Sequence, residues 1–154
     1  MAASAPRVRT VLLRDFTTLR VGGEAELWEV NDEAQLKEAT SEPFLVLGSG
    51  ANLFVSDAGV DRRVVRLGRA YNDMAGFGAD ATVWVGAATP LPGMVRRAQR
   101  AGLSGLEGLS GVPAVLGGAI AMNAGTRFGE MADTVAEVEL FVNGALEVVP
   151  AGAL

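Results

Sequence analysis

The chain has 154 residues, 49% hydrophobic and 20% charged, with a formal net charge of −5. That is enough apolar material for one domain or two small lobes, and too much for a disordered chain. The acidic balance argues against a nucleic-acid partner, and no apolar run approaches membrane-spanning length.

Met1 to Pro6 lacks a charged start followed by an apolar stretch, so it is expected to be a frayed end and not a signal peptide. Val8 to Leu13 alternates weakly and predicts a short strand. Thr17-Thr18-Leu19-Arg20-Val21-Gly22-Gly23 leads into Ala25–Val30, whose alternating apolar and acidic side chains suit a strand with one wet face. Asp32 is the expected N-cap of a short helix, with Gln35 three residues later as a capping box requires. Leu36 and Ala39 should face inward, and the helix should end before Pro43. Phe44-Leu45-Val46-Leu47 reads as a strand buried on both faces and runs directly into Gly48-Ser49-Gly50-Ala51-Asn52. Phe54 to Gly59 reads as strand then turn, and Val64–Leu67 as a further strand. This order predicts a small α/β lobe.

Residues 68–80 form a polar, glycine-bearing connection, the expected boundary between a lobe at 1–67 and a second at 68–154. Thr82–Ala87 reads as a strand. Thr89-Pro90 predicts the cap and first residue of a helix. Its buried face would carry Leu91, Met94, Val95 and Ala98, and its wet face Arg96, Arg97, Gln99 and Arg100, with Gly102 as terminator. A second helix is expected from Pro113 to about Met122. Strands at 135–142 and 145–149 then follow, joined by the hairpin turn Asn143-Gly144.

The chain contains neither Cys nor His. Disulfides, thiolate nucleophiles, iron–sulfur ligation, an internal Ser–His–Asp triad and an ordinary zinc site are therefore excluded, and no metal site is expected. The missing cysteines fit a reducing compartment such as the cytoplasm. Any redox chemistry must come from a cofactor. Of the thirteen cations only Lys37 is lysine; arginine suits phosphates, although genome composition explains the bias equally simply.

Two glycine-rich segments carry the functional signal. In 48–52, glycines in left-handed backbone would let successive N–H groups form an anion nest, with Ser49 and Asn52 adding donors; a plain turn is the bland alternative. The segment lacks the Gly-Lys-Ser/Thr of a P-loop and the immediate helix of a Rossmann fingerprint. The second, Gly105-Leu106-Glu107-Gly108-Leu109-Ser110-Gly111-Val112-Pro113, should end at a helix start able to receive a pyrophosphate or a flavin carbonyl. Gly117-Gly118 inside that helix implies close backbone approach to a ligand or a neighbouring segment. Glu107 could tune a nearby cofactor or be a solvated acid.

The segments 47–57, 105–113 and 117–125, with 17–23 before them, closely resemble the UDP-N-acetylenolpyruvoylglucosamine reductase family, in order and at family-like spacing from about residue 10 onward. The fold class this resemblance implies is α+β, an FAD-binding region of the vanillyl-alcohol-oxidase (PCMH) type with two α/β subdomains. Gly48, Ser49, Gly50, Ala51 and Asn52, together with Leu53, would hold the pyrophosphate. Ser110, Gly111, Val112, Gly117, Gly118, Asn123, Ala124 and Gly125 would line the flavin. Covalent attachment in some relatives uses His or Cys, so FAD is expected here to be dissociable. The resemblance also implies NADPH as reductant, a UDP-sugar substrate and a monomeric intact enzyme.

Two departures stand out. Gly125-Thr126-Arg127-Phe128-Gly129 stands where the family has Gly-Ala-Tyr-Gly, so the family tyrosine is replaced; Arg127 is either a bidentate contact to a substrate diphosphate or a solvated loop arginine. The family's later Gly-Tyr-Arg-x-Ser motif, proton-donating serine and catalytic glutamate have no counterpart in this chain. It is expected to be the FAD-binding part alone, with no catalytic residue of its own and the substrate-binding domain absent. The rival readings are another FAD-dependent oxidase of the same superfamily and a non-catalytic nucleotide-binding module.

Overall fold

A computed structural model describes residues 5–153; Met1 to Ser4 of the expected frayed end, and Leu154, lie outside the described residues. The amino-terminal half is built on a four-stranded sheet ordered β1-β2-β4-β3. Its strands are β1 (Arg7–Leu12), β2 (Glu24–Val30), β3 (Phe44–Val46) and β4 (Arg63–Leu67). β1 runs antiparallel to β2, while β2 and β3 both lie parallel to β4. Alternation on β4 serves two cores. Val64 joins Leu13, Ala25, Leu27 and Leu47 on one face, and Val65 joins Val30 and Ala39 on the other.

Helix α1 (Glu33–Ala39) covers the second face. Asp32 caps it by accepting from Gln35 N–H at 2.8 Å, as expected, but the returning bond from the Gln35 side chain is accepted from Asn31 N–H, one residue before the cap. Burial of β3 on both faces does not hold. β3 is the sheet edge, its Phe44, Leu45 and Val46 are exposed, and only Leu47 beyond it is buried. Continuous hydrophobicity does not distinguish a central strand from an edge whose neighbour is missing on one side. The expected strand at 54–56 is irregular chain, tied to the sheet by Gly23 N–H donating to Ser56 O at 2.9 Å.

The carboxyl-terminal half has its own core of Leu91, Met94, Leu109, Leu116, Ala119 and Met131. The expected strand at 82–87 is also absent. That segment folds back on 71–78 as an irregular ribbon with one isolated bridge, Met74 to Val85. Helix α2 (Leu91–Arg100) presents Leu91, Met94 and Ala98 to the core as the periodicity required. Its N-cap is Pro90 and not Thr89, whose hydroxyl instead donates to Asp73 O at 2.9 Å. Helix α3 is only Leu116–Ala121, not Pro113 to Met122. Two hairpins follow, β5 (Gly125–Thr126) with β6 (Gly129–Glu130), and β7 (Glu137–Val142) with β8 (Ala145–Pro150). Asn143 and Gly144 turn the second at φ +51 and +83, the left-handed pair of a type I′ turn.

Tyr71 packs against the Val30–Ala39–Val65 cluster. Burial, then the carboxylates of Asp32, Glu33 and Glu139, raise its phenol above the ordinary value. A raised acid holds its proton more tightly when folded, so its stabilising effect is complete below a pH of about 10 and is lost as pH rises through the folded value. Tyr71→Phe is expected to flatten the alkaline limb of a pH series of urea unfolding curves.

Candidate functional site

The first glycine segment leaves the carboxyl end of β3. Leu47 N–H still donates to Val65 O at 2.9 Å, and there the ladder stops. Among the described residues, none of the backbone N–H groups of Gly48, Ser49, Gly50, Ala51 and Asn52 donates to a protein acceptor. Consecutive unclaimed donors are the kind of group an anion-binding loop offers. Of the five, Gly50 alone has left-handed backbone, at φ +70. Leu53, next in the chain, packs partly buried against the Leu13–Leu27–Leu47 core.

The loop is braced by the 17–23 motif. Thr18 N–H donates to Gly50 O at 3.1 Å, and a Cβ on Gly50 would collide with the Phe16 carbonyl. Thr17 closes its own loop, accepting from Val21 N–H at 3.2 Å and donating to Val21 O at 2.8 Å. Gly22 N–H donates to the Asp57 carboxylate at 3.1 Å, so the stretch after the glycine loop is held as well. A cleft of about 390 Å³ opens here, walled by Asp15, Phe16, Thr17 and Thr18, by Gly48 and Ser49, and by Arg66.

The second segment meets the first. Ser49 Oγ donates to Pro113 O at 3.0 Å across 64 residues of chain. A Cβ on Gly48 would stand 3.2 Å from Val115 Cγ2 and 4.0 Å from Gly118 Cα. The first two donors of the helix start are not open, however. Leu116 N–H and Gly117 N–H donate to Thr89 O and Ala87 O at 2.9 and 2.8 Å, so these donors are already claimed by backbone. Gly117 has a packing reason, since a Cβ there would lie 3.1 Å from Ala87 Cβ. Gly111 has none: it stands at φ +83, exposed, with open space where a side chain would be. Ser110 beside it is exposed, and Val112 lies half-buried against the second core.

Asn123, Ala124 and Gly125 follow the far end of α3, about 9 Å from its first turn by helix rise. Asn123 adopts φ +42 and its side-chain carbonyl accepts from Ala132 N–H at 2.9 Å. Ala124 packs into the second core, and a Cβ on Gly125 would reach 2.6 Å from Glu130 Cα. Arg127, in the β5–β6 turn, lays its guanidinium 4.6 Å from the exposed Phe128 ring centre. A smaller cleft of about 290 Å³ holds Glu107, Glu130 and Asp133. Their carboxylates close local turns, Glu107 on Gly105 N–H at 2.7 Å and Asp133 on Glu130 N–H at 2.8 Å.

Phe16 and Arg66 carry no motif signal because they belong to no glycine signature, whereas Thr18 falls inside the 17–23 motif. The period-two alternation of β4 does place Arg66 on the Val64 face. Gly50→Ala is expected to cost more than about 2 kcal/mol in urea unfolding, since left-handed backbone and a carbonyl collision coincide. Gly111→Ala, strained but unobstructed, should cost about 1–2 kcal/mol.

The FAD binding domain family matches residues 25–146. A UDP-N-acetylenolpyruvoylglucosamine reductase of Thermus thermophilus is 56% identical over 92% of this chain and 52% of its own length. One from Deinococcus radiodurans is 45% identical over 97% of this chain and 55% of its own. The solved UDP-N-acetylenolpyruvylglucosamine reductase (MurB) from Thermus caldophilus superposes with a TM-score of 0.91 at 54% identity, covering 97% of this chain and 54% of that one. The chain thus spans about half the length of the relatives it matches. With most of its residues inside the matched region, and with a loop of unclaimed N–H donors meeting a second glycine segment, the chain belongs to the FAD binding domain family.

Proposed function

We propose that the chain is the FAD-binding part of an NADPH-dependent reductase that converts UDP-N-acetylglucosamine enolpyruvate to UDP-N-acetylmuramate in peptidoglycan synthesis. The observation that carries this reading is the run of unclaimed N–H donors at 48–52, locked to the second segment by Ser49 and Pro113. The donor set fits a pyrophosphate, which offers only acceptors and negative charge. The open space at Gly111 leaves room for a flat ring system beside it.

In this assignment Gly48, Ser49, Gly50, Ala51 and Asn52 hold the pyrophosphate. Ser110, Gly111, Val112, Gly117, Gly118, Asn123, Ala124 and Gly125 line the flavin side, and the division into lobes falls between 1–67 and 68–154. FAD held there would supply the hydride-transfer chemistry, through its N5, between NADPH and the enolpyruvyl substrate. This chain's residues bind and orient the cofactor through the loop amides and the bracing of 17–23. They supply no acid or base; the proton donor belongs to the rest of such a reductase. Arg127 is assigned to a substrate diphosphate, its guanidinium pre-oriented by Phe128. The intact enzyme works as a cytoplasmic monomer, with FAD held without a covalent bond.

The purified chain should be yellow or take up added FAD, and denaturation should release intact FAD into the supernatant. A colourless protein that refuses FAD would overturn the reading. Nucleotide binding without flavin would make it a binding module, and oxygen consumption with small alcohols in the loaded protein would make it an oxidase of the same superfamily.

A further inference from the structure

We propose that Arg66 is a phosphate-binding residue of the cofactor site, contacting the diphosphate of an adenosine-diphosphate-containing ligand opposite the 48–52 amides; this rests on the FAD reading above. Arg66 lies near the carboxyl end of β4, and the parallel strand β3 feeds the glycine loop from its own carboxyl end beside it. Ligands of parallel sheets bind outside the carboxyl ends of the strands. Arg66 shares one cleft wall with Gly48 and Ser49, the first two residues of the loop of unclaimed donors.

Its environment leaves the guanidinium available. Arg66 is half-buried, and its interaction among the described residues is with the Phe16 ring, 5.8 Å from the centroid. Arg9 stands against the same ring at 5.4 Å. An aromatic face orients a guanidinium without using its hydrogen-bond donors, so the fork stays free for bidentate contact to phosphate oxygens. Two carboxylates face the region. Glu29 sits opposite Arg66 in strand register, yet no ion pair joins them among the described residues. Asp15 lines the cleft itself and would repel a phosphate, so the diphosphate depends on Arg66 and the loop amides to offset it. The loop amides alone are uncharged. Arg66 supplies the one formal positive charge in the cleft wall.

The test titrates the 154-residue chain and its Arg66→Gln and Arg66→Lys variants with FAD, with ADP and with riboflavin, which lacks phosphate. Flavin fluorescence follows FAD and riboflavin, calorimetry follows ADP, and thermal melts check folding. Arg66→Gln should weaken FAD and ADP by about tenfold or more, the factor for one charge-assisted hydrogen bond, and leave riboflavin unchanged. Arg66→Lys, which keeps charge but loses the fork, should fall between, with an unaltered melt. The salt dependence of FAD binding should flatten in Arg66→Gln. Equal FAD affinity in wild type and Arg66→Gln overturns the assignment while leaving the FAD reading intact, and so does an equal loss for riboflavin. A wild-type chain that binds neither FAD nor ADP overturns both.

Discussion

Two parallel strands cannot be joined by a tight turn, and the passage from β3 to β4 is where this molecule meets that constraint. The connection has to travel the length of the sheet, and here it does so without a helix. Its first residues are the glycine loop. Because the loop starts where the β3 ladder stops, its N–H groups leave the sheet with no carbonyl to receive them. Everything else in the site is arranged around that break. The 17–23 motif grips Gly50 from one side, Pro113 receives Ser49 from the other, and Asp57 ties down the outgoing chain.

The glycines divide into those that packing demands and those that backbone conformation demands. At Gly50, Gly108 and Gly125 the neighbouring backbone already occupies the position of a Cβ, so the absence of a side chain is demanded by the fold itself. At Gly111 nothing occupies that position, so no packing reason accounts for glycine there. Its neighbours close their own turns, with Ser110 N–H donating to Glu107 O and Val112 N–H to Leu109 O. The two segments therefore contribute differently. The first offers donors, the second offers shape.

The chain is acidic overall, yet the cleft beside the first loop combines amide donors with Arg66 against a single carboxylate, Asp15. Net charge describes partners that see the whole surface at a distance, whereas a ligand in a cleft sees the groups within a few ångströms. The acids near the second segment are used locally: among the described residues Glu107, Glu130 and Asp133 each satisfy a backbone N–H group at a turn.

Elements whose signal is local were legible in the residues alone. The alternation of 24–30, the cap at Asp32, the apolar face of α2, its stop at Gly102 and the Asn143-Gly144 turn each depend on neighbours within a few positions. The glycine segments and their family likeness were equally readable, because a position that excludes a side chain leaves glycine as its mark. Tertiary structure alone decided the rest. The run 44–47 became an edge because strand order depends on which strands pair, and pairing is a long-range choice. The helix expected from Pro113 begins only at Leu116, where its first N–H groups are taken by Ala87 and Thr89 carbonyls from a distant segment. The meeting of Ser49 with Pro113, and of Arg66 with the loop, likewise has no trace in local sequence. Hydrogen bonds and cleft walls join residues by distance in space, and a chain read one residue at a time records only distance along itself.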